Sequence, residues 1–238
     1  MEYALTFDTD WAPDFILQDI AESLVTERIR STWFVTNQTP ALEYMRAHPE
    51  YFELGIHPNF FPNSDHGQSE DDVLDFCLRL VPEAVSMRTH GLYQSSPLFF
   101  KIIENTPISN DVSTYMRGVE HTKPSPLIYN GKTLNRLIYG WEDDLESEHA
   151  NPVWTIEGLE QKGSDIFIFD FHPIHIALNS SDMCAYNALK KNGKKISDLK
   201  REDIALYRSQ KQGAYGFLQE VIQAIKQQKR SYRIKDLV

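Results

Sequence analysis

Cysteine is nearly missing from this chain. The two present, Cys77 and Cys184, form no CxxC pair and no thiolate-type metal spacing, which excludes a disulfide framework and a cysteine-held metal. Cys77 falls in an amphipathic helical pattern and reads as a small core residue. Long apolar runs are missing too: no window approaches the roughly eighteen residues that cross a bilayer. Nor is there a basic segment followed by an apolar one at the start, since Met1-Glu2-Tyr3 leads straight into a strand pattern. The expectation is a reduced, cytoplasmic protein. Cations are scarce, with 24 Lys and Arg against 34 Asp and Glu, a net charge of −10. The surface as a whole therefore attracts neither nucleic acid nor anionic membrane. Lys190, Lys191, Lys194, Lys195, Lys200 and Arg201 depart from this balance, although such a run ordinarily forms a solvated face. Repeats, low-complexity stretches and linkers are also lacking, so one domain over residues 1–238 is expected.

What the chain does have is a 41% apolar fraction, arranged as short β-type runs alternating with helical patterns. Tyr3 to Phe7, Ser31 to Val35, Phe52 to Ile56, Ala84 to Met87, a piece from Ile108 and Ile166 to Phe171 read as strands. Helices are expected over Pro13–Arg28, Ala41–Ala47, from the Ser69/Asp72 capping pattern to Leu80, over Pro97–Glu104, and along Ile204–Gln228 with a break near Gly213 and Gly216. The alternation argues for βαβ units and a mostly parallel sheet. Two apolar runs around Asn130-Gly131 are the exception and predict a hairpin.

Polar residues with chemical potential fall just after these strands. Asp8 and Asp10 end the first; at i, i+2 on an extended segment they share a face, and two such carboxylates repel unless a cation lies between them. Taken alone, the pair also reads as a solvated acidic turn. His57 follows the third strand, and the turn-rich segment after it lets His66 fold back, so that two imidazoles and a carboxylate could hold a catalytic zinc. Arg88 and His90 follow the fourth strand, and Arg88 could keep a buried carboxylate ionised. Either histidine of His172-Pro173-Ile174-His175, after the late strand, suits a general acid, and one of the two is expected to act. Asp170 would point with His172, or merely cap the strand. The carboxyl ends of strands share one face of a barrel, so these distant residues can converge.

Thr6-Phe7-Asp8, Ser31-Thr32-Trp33-Phe34-Val35, Gly55-Ile56-His57, Arg88 and His172 occur in an order that resembles the polysaccharide deacetylases, the NodB-homology group or carbohydrate esterase family four. The resemblance covers residues 3–176 and implies an irregular (β/α) barrel of about seven mostly parallel strands. It further implies removal of an acetyl group from a sugar with one divalent metal, commonly zinc. Carried over, it makes Asp8 the base, Asp10 a metal ligand beyond the inserted Thr9, Arg88 the residue that orients the base, and His172 the general acid. The family's two histidines stand four apart. Position 61 is Phe here, so His57 transfers and His66 is inferred as its partner. Thr89-His90-Gly91 replaces the usual proline and aromatic. The acidic fourth motif is matched by Asp143 within Trp141-Glu142-Asp143-Asp144, with Asp144 and Asp111 as rivals. These departures are similar to those of deacetylase-like proteins of bacterial surface-polysaccharide loci.

The leading expectation is a metal-dependent hydrolase that removes an N-acetyl or N-formyl group from a sugar in surface-polysaccharide biosynthesis, with a nucleotide- or lipid-linked sugar as one candidate form of the substrate. A carbohydrate-binding protein that keeps the barrel and metal without turnover is the second reading. A third is a phosphoesterase, which would hold two metals about 3.5–4 Å apart.

Overall fold

Alternation along Glu2–Asp8 builds the central strand, β1: Tyr3, Leu5 and Phe7 face an outer apolar layer, while Ala4 faces an inner one. The computed structural model describes residues 2–119, 123–159, 166–191 and 193–238. From β1 the chain runs through α1 (Asp14–Glu27), β2 (Ser31–Val35), α2 (Ala41–Arg46), β3 (Phe52–Ile56), α3 (Glu70–Leu80), β4 (Ser86–Met87), α4 (Ser96–Asn105) and β5 (Asn110–Tyr115). The hairpin β6 (Ser125–Tyr129) and β7 (Lys132–Tyr139) follows, then β8 (Trp141–Glu142), α5 (Asp143–Glu148), β9 (Ile166–Phe171), α6 (Pro173–Leu178), α7 (Cys184–Lys190), α8 (Arg201–Ala205) and α9 (Ala214–Gln228). Local chemistry sets several bounds. Ser69 caps α3 by accepting from the Asp72 N–H, and the Asp72 side chain accepts from the Ser69 N–H. Asn130 and Gly131 take φ of 49° and 77°, the left-handed pair that a tight hairpin requires.

The sheet order is β6-β7-β5-β4-β3-β2-β1-β9-β8, and among the described residues only the β6–β7 pairing is antiparallel. Its two ends belong to one stretch of chain. β7 pairs with β5, and after Gly140, whose N–H donates to Ile168 O at 3.1 Å, β8 pairs with β9. The sheet thereby closes on itself, and with the β7–β8 run counted once the parallel strands number seven, as the resemblance implies. Phe34, Val112, Leu137, Tyr139 and Ile168 fill the interior. The bore is narrow at Gly55, where a Cβ would lie 2.6 Å from Ser86 O and 2.8 Å from the Phe34 ring.

One feature departs from the sequence pattern, and one expected break is present. The expected strand over Ala84–Met87 shrinks to two residues. The helical pattern from Ile204 separates into α8 and α9 at Gly213, where a Cβ would meet the carbonyls of Asn179 and Ser180 at 2.5 Å.

The mouth formed by the amino ends of the strands is plugged by the C-terminal segment. Ile234 enters the inner layer, its N–H donates to Thr32 Oγ1 at 2.8 Å, and the Lys235 N–H donates to Glu53 Oε2 at 2.9 Å. Glu53 is itself buried and accepts from Thr32 and Ser86. Ile234→Ala is expected to cost roughly 2–5 kcal/mol in denaturant unfolding. A loss within about 0.5 kcal/mol, the size of a surface effect, would remove the plug from the list of stabilising contacts.

Candidate active site

At its carboxyl end β1 does not simply run on. Thr9 Oγ1 bonds Thr36 Oγ1 at 3.0 Å and accepts from the Thr36 N–H, and the next two residues, Asp10 and Trp11, turn left-handed (φ 38° and 54°). Such angles are costly for a bulky side chain and persist where surrounding bonds impose them. The shared face expected of Asp8 and Asp10 on one extended strand is therefore not how they meet. Asp8 ends the strand and Asp10 is swung back by the turn, yet both reach His57 Nε2, at 3.6 and 3.2 Å.

Below them lies Arg88, fully buried. It donates to Asp8 Oδ1 at 2.9 Å, to Asp170 Oδ1, to Thr6 Oγ1 at 2.9 Å and to Val112 O at 3.1 Å, with its guanidinium stacked on Phe34 and Tyr139. Burial pushes the Asp170 carboxyl well above the usual range against the pull of Arg88, and Asp170 Oδ2 has no partner among the described residues. One guanidinium thus spans two buried carboxyls, a pairing that single-strand patterns could not reveal because Asp8 and Asp170 come from β1 and β9.

Three ligand-type atoms meet above Asp8. Asp10 Oδ1 is 3.2 Å from His57 Nε2 and 3.3 Å from His90 Nδ1, and the two ring nitrogens are 3.3 Å apart. A tetrahedral ion with bonds of about 2.0–2.1 Å holds its ligands about 3.3 Å from one another. Among the described residues Asp10 Oδ1 is buried without a hydrogen-bond donor, as a ligand atom would be. The residues present thus fit one divalent ion of zinc type, with nitrogen and oxygen donors. Burial would raise the Asp10 carboxyl, but His57 and His90 outweigh it and hold it well below its usual value; burial would lower His90, and Asp10 turns that into a rise.

The structure brings His90, rather than His66, to Asp10 and His57. His66 Nδ1 accepts the Asn59 N–H at 3.1 Å and lies 3.5 Å from Cys77 Sγ, while the ring stacks on Phe76. With that lone pair engaged, His66 braces the loop behind Trp11. His90 was legible as a strand-end residue two positions after Arg88, in the place where the family has proline. Phe61, in the place of the family's second histidine, lies edge-on to His90 at 6.2 Å, with Trp11 edge-on from another side at 5.3 Å.

Opposite this cluster, His172 donates from its backbone N–H to Asp143 Oδ2 at 2.9 Å and from Nδ1 to Asp143 Oδ1 at 2.7 Å. That leaves Nε2 facing the site, 3.7 Å from Asp10 Oδ2. Burial would lower this imidazolium, but Asp144, Asp143 and Asp10 hold it well above the ordinary histidine value. Asp144 lies beside His172 in a group with Glu142, whereas Asp111 pairs with Arg136 at 3.0 Å. His175 bonds Ser180 and is pushed down by burial. The arrangement offers a held carboxylate, a three-atom ligand cluster and a charged imidazole within one cleft, a set suited to metal-assisted hydrolysis.

The model of the WbmS-like polysaccharide deacetylase family matches residues 5–190. A crystal structure of a polysaccharide deacetylase described as involved in O-antigen biosynthesis, from Bordetella bronchiseptica, superposes with a TM-score of 0.77 at 29% identity, covering 93% of this chain and 90% of that one. The Bc1960 peptidoglycan N-acetylglucosamine deacetylase superposes with a TM-score of 0.50 at 14% identity, covering 99% and 87%, a likeness of fold alone. No curated protein matches the chain.

Proposed function

Because the chain belongs to the WbmS-like polysaccharide deacetylase family, we propose that it is a metal-dependent hydrolase that removes the N-acetyl, or N-formyl, group from a sugar of a surface polysaccharide or its nucleotide- or lipid-linked precursor. The Asp10–His57–His90 triangle beside an Arg88-held Asp8 is the observation that carries this reading. We take residues 1–238 to act as one catalytic unit, with a zinc ion on those three side chains. When bound, the ion supplies Lewis-acid polarisation of water and of the acyl oxygen.

The protein's own groups do the rest. Arg88 fixes Asp8 Oδ1, so Oδ2 is the atom free to take a proton from the attacking water. Asp143 holds the Nδ1 proton of His172, which presents Nε2–H to the leaving amine. The charged state favoured for His172 is the one a general acid needs at the start of turnover. Burial of Asp8, Arg88 and His172 keeps bulk water from competing for these contacts.

Elemental analysis joined to an acetate-release assay on N-acetylated sugars, free and nucleotide-linked, tests the proposal. Wild-type protein is expected to hold one ion per chain and release acetate. His90→Ala should weaken metal binding by more than the roughly 10–100-fold typical of outer-shell changes, and His66→Ala should leave it within about that range. Zinc-loaded protein that releases no acyl group would refute the activity, and metal retained by His90→Ala would refute the ligand set.

A further inference from the structure

The cations of the C-terminal third have no role in the site described above. Residues 190–211 contain eight Lys and Arg and three Asp and Glu, a net of +5, so the remainder of this −10 chain carries −15. Carboxylate partners are abundant, yet Lys191, Lys195 and Lys211 are exposed and enter no ion pair among the described residues. Lys194 pairs with Asp203 at 2.8 Å, and Arg201 pairs with Asp19, both at the surface.

Two of these cations, Arg201 and Arg208, line an apolar opening together with Asp19, the partner of Arg201, and the Lys194–Asp203 pair holds the lysine-bearing loop against neighbouring α8. A groove of about 440 Å³ runs between α1, α6, α8 and α9, walled by Phe15, Ile20, Ile176, Ile204, Leu218 and Ile222. Arg201, stacked on Phe15, and Arg208, stacked on Tyr215, stand at its rim. Between them on the chain, Leu206 is 80% exposed, and Tyr215 in the first turn of α9 is 42% exposed. A solvated face accounts for the lysines but not for a large apolar side chain offered to water beside an apolar groove. A basic rim around apolar surface matches a layer with anionic headgroups outside and hydrocarbon beneath. A soluble acidic protein would match the charge and leave Leu206 unexplained.

We propose that this face docks the protein on an anionic lipid bilayer, with Lys191, Lys194, Lys195, Arg201 and Arg208 against the headgroups and Leu206 inserted among them. The site's general acid immediately precedes α6, and the groove is lined by Ile176 and Ala177 of that helix, so docking fixes the orientation of the catalytic cleft to the bilayer. No helix among the described residues is long and apolar enough to cross a membrane, and the contact is peripheral.

Vesicle co-sedimentation of the full chain tests this without any substrate. Binding is expected to phosphatidylcholine vesicles containing phosphatidylglycerol and not to phosphatidylcholine alone, and to weaken as salt screens the headgroups. Lys191→Glu/Lys195→Glu should reduce binding about tenfold or more, each reversal acting on a contribution near 1 kcal/mol per cation. Leu206→Ser should weaken it without changing the salt dependence. Release of acetate from a soluble sugar should be unchanged in both variants, which separates a failure of docking from a failure of the proposed reaction. Equal binding to neutral vesicles, indifference to the charge reversals, or displacement from vesicles by a soluble nucleoside diphosphate would each overturn the proposal.

Discussion

Asp8→Asn is expected to lower kcat by about 10²–10⁴ while the protein keeps its fold and its metal. The amide is isosteric and can still accept from Arg88 Nη1, which holds Asp8 Oδ1 at 2.9 Å. It cannot take the proton of the attacking water. Asp10, His57 and His90 are untouched, so metal content should stay at the wild-type level. His172→Ala should produce a loss of similar size on N-acetylated sugars, and a much smaller one on an aryl acetate, whose leaving group departs without protonation. That contrast is the informative measurement: equal losses on both substrates would show that His172 does something other than donate to the leaving group. Turnover near wild type in Asp8→Asn would transfer the role of base to another group.

Arg88→Met should be the most destabilising single change in the barrel. Its guanidinium is fully buried and faces Asp8 and Asp170 at once. Removal of one partner from a buried ion pair costs about 3–5 kcal/mol, because the remaining charge has neither water nor a counter-ion. For a chain of this size that corresponds to a fall in Tm of roughly 10 °C. Adding Asp170→Asn should restore part of the loss, since an amide in that position needs no cation. The sign for pH follows from burial. Asp170 sits well above the usual carboxyl range, so its contribution is present below the unfolded carboxyl pKa and is lost as pH rises through the higher folded value. Arg88→Met, which removes the cation that opposes this rise, should deepen the loss toward neutral pH. Unfolding within about 1 kcal/mol of wild type would mean that the interior relaxes or hydrates around the two carboxyls.

The elements that were legible in the chain are those whose cause is local. β1, β2 and β3 are apolar runs that end in polar punctuation, α3 begins at a capping box, and Asn130-Gly131 turns a hairpin because both residues tolerate positive φ. The order of Asp8, His57, Arg88 and His172 along the sequence carries the resemblance to the polysaccharide deacetylases, and it is that resemblance which implies an irregular (β/α) barrel. The strand pattern over Ala84–Met87 yields only a two-residue β4, because Ser86 and Met87 alone enter the ladders with β3 and β5 while Val85 contributes just its carbonyl to Ser109 and Asn110, and that depends on neighbours rather than on propensity.

The ligand cluster shows where local reasoning stopped. Spacing within the loop after His57 pointed to His66, but a loop histidine is aimed by the bonds it accepts, and the Asn59 N–H takes the His66 lone pair. His90 stands on a different strand end and reaches Asp10 only because the barrel brings β3 and β4 side by side. Asp10 owes its direction to the Thr9–Thr36 bonds and two left-handed residues, none of which alternation foresees. By itself, then, the sequence determined the order of elements, the barrel class and the family, and placed acids and histidines at strand ends. The tertiary structure alone decided that Asp8 and Asp170 share Arg88, that Ile234 plugs the barrel and that Asp10-Thr9 turns toward His57 and His90. The physical reason is range: propensity and periodicity act over a few residues, whereas the direction of a side chain at a strand end is set by hydrogen bonds from segments dozens of residues away.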